Sequence, residues 1–213
     1  MTKGRFIVFE GGEGAGKSTQ ASLLCDALEA REIEVVATRE PGGTDGAEAI
    51  RQLLLHPPGE GWGAKAEALL FAAARSDHVE QLIRPSLEKG VWVVCDRFVD
   101  SSRAYQGIAG DLGDHAVRTL HDIGSDGLMP DLTIVLSASS DAASDRLLKR
   151  DGADTDAIGG RSEQYHRAVN RAFLQFAEDD PGRFAIVDAD GIIDDVHARV
   201  MRAIEPLLEP CNQ

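Results

Sequence analysis

The chain is poor in cysteine, in positive charge and in long apolar runs. Its 213 residues include three cysteines, Cys25, Cys95 and Cys211, an odd and widely spaced set that offers neither a disulfide framework nor metal-ligand spacing. Lys and Arg number 22 against 36 Asp and Glu, for a formal net charge of −14. That deficit argues against a dedicated nucleic-acid surface, which needs clustered cations for the phosphate backbone. In so acidic a chain any local cationic site stands out. No stretch approaches the roughly 18 to 20 apolar residues of a membrane span, and Met1 to Arg5 lead into a short apolar run without the layout of a signal peptide. A reducing cytoplasm is the expected setting, with no nucleic-acid partner and no membrane.

What is present is ordinary for a globular domain: 43% hydrophobic and 27% charged residues, in a length suited to one domain. Short apolar runs recur at Phe6 to Phe9, Ile33 to Thr38, Val91 to Cys95, Leu132 to Leu136 and Phe184 to Val187. They scarcely alternate with polar residues, as expected for parallel strands covered on both faces. Helical spacing lies between them: Ala21, Leu24 and Leu28, then a long pattern through Leu69, Leu70, Ala73, Val79, Leu82 and Ile83 that stops near Pro85, and last Val196, Val200, Ile204 and Leu207. Alternating strands and helices predict a single α/β domain with a doubly wound parallel sheet. His56 to Gly63 is rich in Pro and Gly and reads as a surface loop. Arg150 to Arg161, polar and rich in Gly and Asp, lies between two helical stretches where a flap could sit.

Gly11, Gly12, Glu13, Gly14, Ala15, Gly16, Lys17 and Ser18 fit G-x-x-x-x-G-K-[ST], directly after a strand and before a helix. That context is what gives the motif its meaning. Glycines let successive backbone N–H groups turn inward, and the following helix start (Lys17, Ser18, Thr19) adds its own donors, so the segment forms an anion cradle. Lys17 reaches terminal phosphates and Ser18 offers a hydroxyl to Mg²⁺. Triphosphate binding is therefore expected, with ATP favoured because no Asn-Lys-x-Asp guanine reader is present. The loop does not choose a reaction. A compact kinase, with its acceptor site at the carboxyl edge of the sheet, fits the length best.

The segments after the other strands add Thr38-Arg39-Glu40-Pro41-Gly42-Gly43-Thr44, Asp96-Arg97-Phe98, Ser101 through Gly107, and Leu69-Leu70-Phe71 leading to Arg75. Together with Phe9 to Ser18 these resemble the bacterial thymidylate kinases, a family of P-loop nucleoside monophosphate kinases, over nearly the whole chain. The resemblance implies a five-stranded parallel sheet with a short lid at about 150–162. It further implies transfer of the γ-phosphoryl of ATP to dTMP, with Mg²⁺, in dTTP biosynthesis, and a homodimer. A Mg²⁺ ion arriving with the nucleotide is the one metal expected: His56, His78, His115, His121, His166 and His197 show no spacing that converges with a carboxylate or cysteine.

The residues suit the task, and each has a plainer alternative. Asp96 ends an apolar strand, where its carboxylate could hold Mg²⁺ or its waters opposite Ser18. Arg97 could grip the acceptor phosphate through two parallel N–H bonds, or the two could merely cap the strand. By resemblance Arg51 is a second grip on that phosphate, whereas Arg39 could equally brace the loop. Phe71 and Arg75, four apart, share a helix face; the resemblance stacks Phe71 on thymine and aims Arg75 at a ring carbonyl. It also places Ser102 and Gln106 at the base edge, Tyr105 against the sugar, Glu13 on the 3′-hydroxyl and Pro41 in the pocket wall. Gly14 stands where one thymidylate kinase type carries an arginine, so the type with lid arginines is indicated. Lys149, Arg150 and Arg161 are the candidates, with Arg161 preferred and Arg150 second; Asp154-Thr155-Asp156 stands where family lids carry Asp-Arg. Another monophosphate or deoxynucleoside kinase on the same scaffold is the rival reading, and an ATP-binding regulator without kinase activity is a more distant one.

Overall fold

A computed structural model of the chain describes residues 4–139 and 160–208. Five strands, β1 (Phe6–Gly11), β2 (Val35–Arg39), β3 (Trp92–Asp96), β4 (Leu132–Ser137) and β5 (Phe184–Asp188), form one parallel sheet in the order β2-β3-β1-β4-β5. Each apolar run of the sequence is a strand, but the strands extend further toward their C-terminal ends than the runs do. Register explains this: Arg39 pairs with Asp96 and Ser137 with Asp188, so polar residues are held in the ladder by their neighbours. Phe9 is also opposite Asp96, which brings the ends of β1, β2 and β3 side by side.

Helices α1 (Lys17–Glu29), α2 (Asp45–Leu55), α3 (Ala64–His78), α4 (Arg84–Glu88), α5 (Val99–Ser102), α6 (Asp114–Ser125), α7 (Glu163–Asp179) and α8 (Ile193–Leu208) cover the sheet. Successive residues of β1 face opposite sides: Ile7 and Phe9 pack with Leu24, Leu28, Val200 and Ile204, whereas Phe6 and Val8 pack with Ile83, Leu87 and Phe98. A third cluster joins Val135 and Phe184 to Val169, Phe173 and Phe176 of α7. Two-sided burial is why β1, β3 and β4 read as unbroken apolar runs, whereas the edge strands β2 and β5 are only partly buried.

The long helical pattern does not stop near Pro85. A π-helical turn, Val79–Ile83, follows α3, and α4 continues through Pro85 to Glu88. The shifted ladder puts Pro85 in the first turn of α4, where a missing N–H costs no hydrogen bond. A second π-helical segment, Arg103–Ala109, follows α5. Lys149, Arg150 and nearly all of the proposed lid lie outside the described residues; Arg161 lies within them.

Candidate active site

The carboxyl ends of β1, β2 and β3 open into a cavity of about 1040 Å³, at the upper end of the ~300 to 1000 Å³ usual for one small ligand. The phosphate loop forms one end. Gly11 and Gly16 adopt φ of 137° and 92°, and a Cβ on Gly11 would come within 2.5 Å of the Leu136 carbonyl oxygen, so only glycine fits there. Lys17 Nζ donates to the carbonyls of Gly11 (3.2 Å) and Gly12 (2.7 Å). Burial, with Arg97 nearby, lowers the Lys17 pKa to about 8, although Asp96, Glu13 and Glu10 oppose the fall. Glu13, Gly14, Ala15, Gly16, Ser18 and Thr19 line the cavity, while Gly11 and Gly12 lie behind it.

Ser18 Oγ donates to Asp96 Oδ2 at 2.5 Å, whereas Asp96 Oδ1 is buried without a partner among the described residues. An orphaned carboxylate oxygen beside a hydroxyl is a hard, oxygen-only donor pair, of the kind Mg²⁺ takes when phosphates and waters complete its shell.

Arg97, one residue further, has φ 71°, a left-handed conformation uncommon for a long side chain. Its N–H donates to Phe9 O, and its guanidinium reaches Glu13 Oε1 at 2.5 Å and Ser101 Oγ at 3.1 Å and lies 5.1 Å from the Tyr105 ring centre. The turn beneath it hangs on Glu10, which is fully buried and accepts from the backbone N–H groups of Phe98 and Ser101 (2.9 Å each) and from Ser101 Oγ (2.7 Å). Burial raises the Glu10 pKa to about 7. Arg51 Nη1 donates to Pro41 O at 2.7 Å, and both residues line the cavity. Arg39 is more exposed and pairs with Glu48, which also holds Gly43 N, so it braces the loop after β2.

The far end is built from α3 and the segment after β3. Phe71, 8% exposed, and Arg75, 3% exposed, share its wall with Ser102, Tyr105 and Gln106. Arg75 Nε donates to Glu40 Oε2 (2.8 Å), and its Nη2 to Ser102 Oγ (2.8 Å) and Phe98 O (3.3 Å). Glu40 Oε1 meets His78 Nδ1 at 3.0 Å, and His78 Nε2 meets Thr38 Oγ1 at 2.7 Å. Burial would raise the Glu40 pKa; Arg75 and His78 outweigh it and hold the carboxyl below its ordinary value. Tyr105 OH lies 3.5 Å from Glu13 Oε1, and burial pushes its pKa up to about 12.

The described residues expected at the site thus converge on the cavity, except Gly11 and Gly12, which lie behind it, and Arg161. Its guanidinium pairs with Glu67 Oε2, donates to Tyr165 OH and lies 4.7 Å from the Tyr165 ring centre, and it does not line the cavity. Glu10, Glu40, Glu67, His78 and Tyr165 brace these residues and are not legible as site residues in the sequence. A carboxylate inside the apolar run Phe6 to Phe9 and its Gly11 end was the one available signal for Glu10; the others lack one.

The sequence model of the family described as "Thymidylate kinase" matches residues 9–200. A thymidylate kinase of Rhizorhabdus wittichii is 53% identical over 96% of this chain and 99% of its own length. One of Afipia carboxidovorans is 47% identical over 95% and 90%, respectively. The crystal structure of thymidylate kinase from Ehrlichia chaffeensis superposes with a TM-score of 0.78 at 30% identity, covering 95% of this chain and all of that one. The chain belongs to the thymidylate kinase family, the ATP-dependent kinases that phosphorylate dTMP to dTDP.

Proposed function

We propose that the two ends of the cavity divide this reaction between them, with ATP on the phosphate loop, dTMP along α3 and the acceptor phosphate between them, gripped by Arg97 and Arg51. The observation that carries the proposal is continuity: Lys17, Arg97 and the Phe71–Arg75 face line one cavity. The acceptor is an anionic phosphate oxygen, so no strong base is needed; alignment and charge neutralisation lower the barrier. Lys17 and Arg97 supply fixed positive charge. Ser18 and Asp96 would hold Mg²⁺ partly through waters and nucleotide phosphates, and the ion would add neutralising charge at the ATP phosphates. Glu13, held by Arg97, accepts from the 3′-hydroxyl; Tyr105 packs the sugar where a 2′-hydroxyl would go. Phe71 stacks the base, Arg75 donates to a ring carbonyl, Ser102 and Gln106 line its edge, and Pro41 closes the wall.

Arg161 is the described arginine we assign to the transferring phosphoryl, and to serve there it must leave Glu67. Arg161→Ala then lowers kcat by ~10² or more; near-normal steady-state turnover would move the role to a residue such as Arg150. The whole assignment is tested by ADP release with ATP, Mg²⁺ and each of dTMP, dUMP, UMP, dCMP, AMP and GMP. A preference for AMP or GMP would overturn the base site. No helix among the described residues is long and apolar enough to cross a membrane; a cytoplasmic setting without nucleic-acid partners accords with the charge balance. Leu53, Leu69 and Ile123 are exposed on α2, α3 and α6, and apolar side chains on neighbouring helices support a homodimer. Light scattering at twice the 22.8 kDa chain mass is the expected result.

A further inference from the structure

Glu67 lies on α3 one turn before Phe71 and two before Arg75, so it shares their face. It does not line the cavity, whereas Gln106 does. Each of its oxygens has one partner. Oε1 accepts from Gln106 Nε2 at 2.8 Å, and Oε2 from Arg161 Nη2 at 2.5 Å. Arg161 is itself fixed by Tyr165, whose hydroxyl donates to Tyr105 O at 2.6 Å.

An ion-paired carboxylate only accepts hydrogen bonds, whereas a glutamine amide has one accepting and one donating end. Glu67 therefore compels Gln106, 3% exposed, to turn its NH₂ backward. The carbonyl end of Gln106 receives no bond from any described residue and is left for the cavity. Thymine presents an N3–H donor at its pairing edge; cytosine presents a bare N3 acceptor. A carbonyl satisfies the first and repels the second.

We propose that Glu67 is a positioning residue that sets base specificity by fixing the orientation of the Gln106 amide; this rests on the base lying against Gln106, as in the proposed function. In Glu67→Gln the new amide has a single oxygen. While the base binds, before Arg161 leaves for the transferring phosphoryl, Arg161 has only donors and claims that oxygen, so the new NH₂ is aimed at Gln106. The Gln106 amide must then reverse and offer N–H to the base.

The test compares kcat/KM for dTMP and dCMP in the wild type, Glu67→Gln and Glu67→Met. Glu67→Gln should narrow the dTMP:dCMP ratio at least about tenfold, with KM for dTMP rising and KM for dCMP falling. Glu67→Met, which imposes no orientation, should narrow it less. A merely structural role would lower both substrates alike, and an unchanged ratio in a wild type that prefers dTMP overturns the proposal alone. A wild type without that preference overturns the base-site reading and the proposal with it. Should Glu67→Gln fail to fold by thermal melting, the ratio of dTMP and dCMP dissociation constants for Glu67→Met decides in the same way.

Discussion

The two ends of the cavity are made of different material. At the end proposed for ATP, much of the lining comes from one continuous stretch, Glu13 to Gln20, and its shape rests on backbone that glycine permits. At the end proposed for the base, hardly any group stands alone. Arg75 leans on Glu40, Glu40 on His78, His78 on Thr38, and Gln106 on Glu67. A phosphate is a charge that a generic cradle can hold; a base is a pattern of donors and acceptors, and holding side chains against it requires a second layer behind them.

Disabling one end should leave the other working. Lys17→Met removes the cation of the loop and should lower kcat by ~10³. Calorimetric binding of dTMP should change less than about twofold, because among the described residues Lys17 bonds only to the Gly11 and Gly12 carbonyls and makes no contact with Phe71, Arg75, Ser102 or Gln106. A parallel loss of dTMP affinity would mean that the ends are not independent.

The converse experiment is Glu40→Gln. Arg75 and Glu40 are 3% and 4% exposed, and breaking so buried a pair from one side leaves an uncompensated charge, at ~3 to 5 kcal/mol. Denaturant unfolding should show that loss together with a raised KM for dTMP, while KM for ATP stays within about twofold. Because the Glu40 pKa is held below its ordinary value, the contribution of the pair is complete above the ordinary carboxylate range. It is lost as pH falls through the folded-state pKa. Unchanged unfolding midpoints would show that Arg75 has another partner in reserve.

The same contrast decides what could be read from the sequence. Gly11 to Ser18 is legible because its chemistry is contiguous and flanked by a strand and a helix. Phe71 and Arg75 do line the cavity, but the roles proposed for them rest on family resemblance, since an aromatic on a helix face is by itself ordinary core. Glu40 stands in a segment that carries the resemblance, but its pairing is not legible there, nor is that of Glu67: their partners stand 35 and 39 residues further along the chain, and only the fold brings them together. The strands were found by their apolar runs but their ends were not, because Arg39, Asp96, Ser137 and Asp188 stay in the ladder through register. Pro85 does not end its helical pattern, because a π-helical turn places it in a first turn.

Glu10 belongs to neither end and joins both. It stands in β1 just before the phosphate loop and carries the turn that aims Arg97. Its folded pKa, about 7 against an ordinary 4.5, means that between these values the folded chain binds more proton than the unfolded one. Stability from this group therefore falls as pH rises through that window and is flat beyond it. Glu10→Gln removes the titration yet keeps an oxygen for the N–H groups of Phe98 and Ser101 and turns an NH₂ toward the Ser101 hydroxyl. The variant should melt near the wild-type temperature at pH 5 and gain on it by a few degrees by pH 7.5, with kcat little changed. A melting difference that is constant across that range would mean that the buried carboxyl does not titrate there, and that Arg97 keeps it charged throughout.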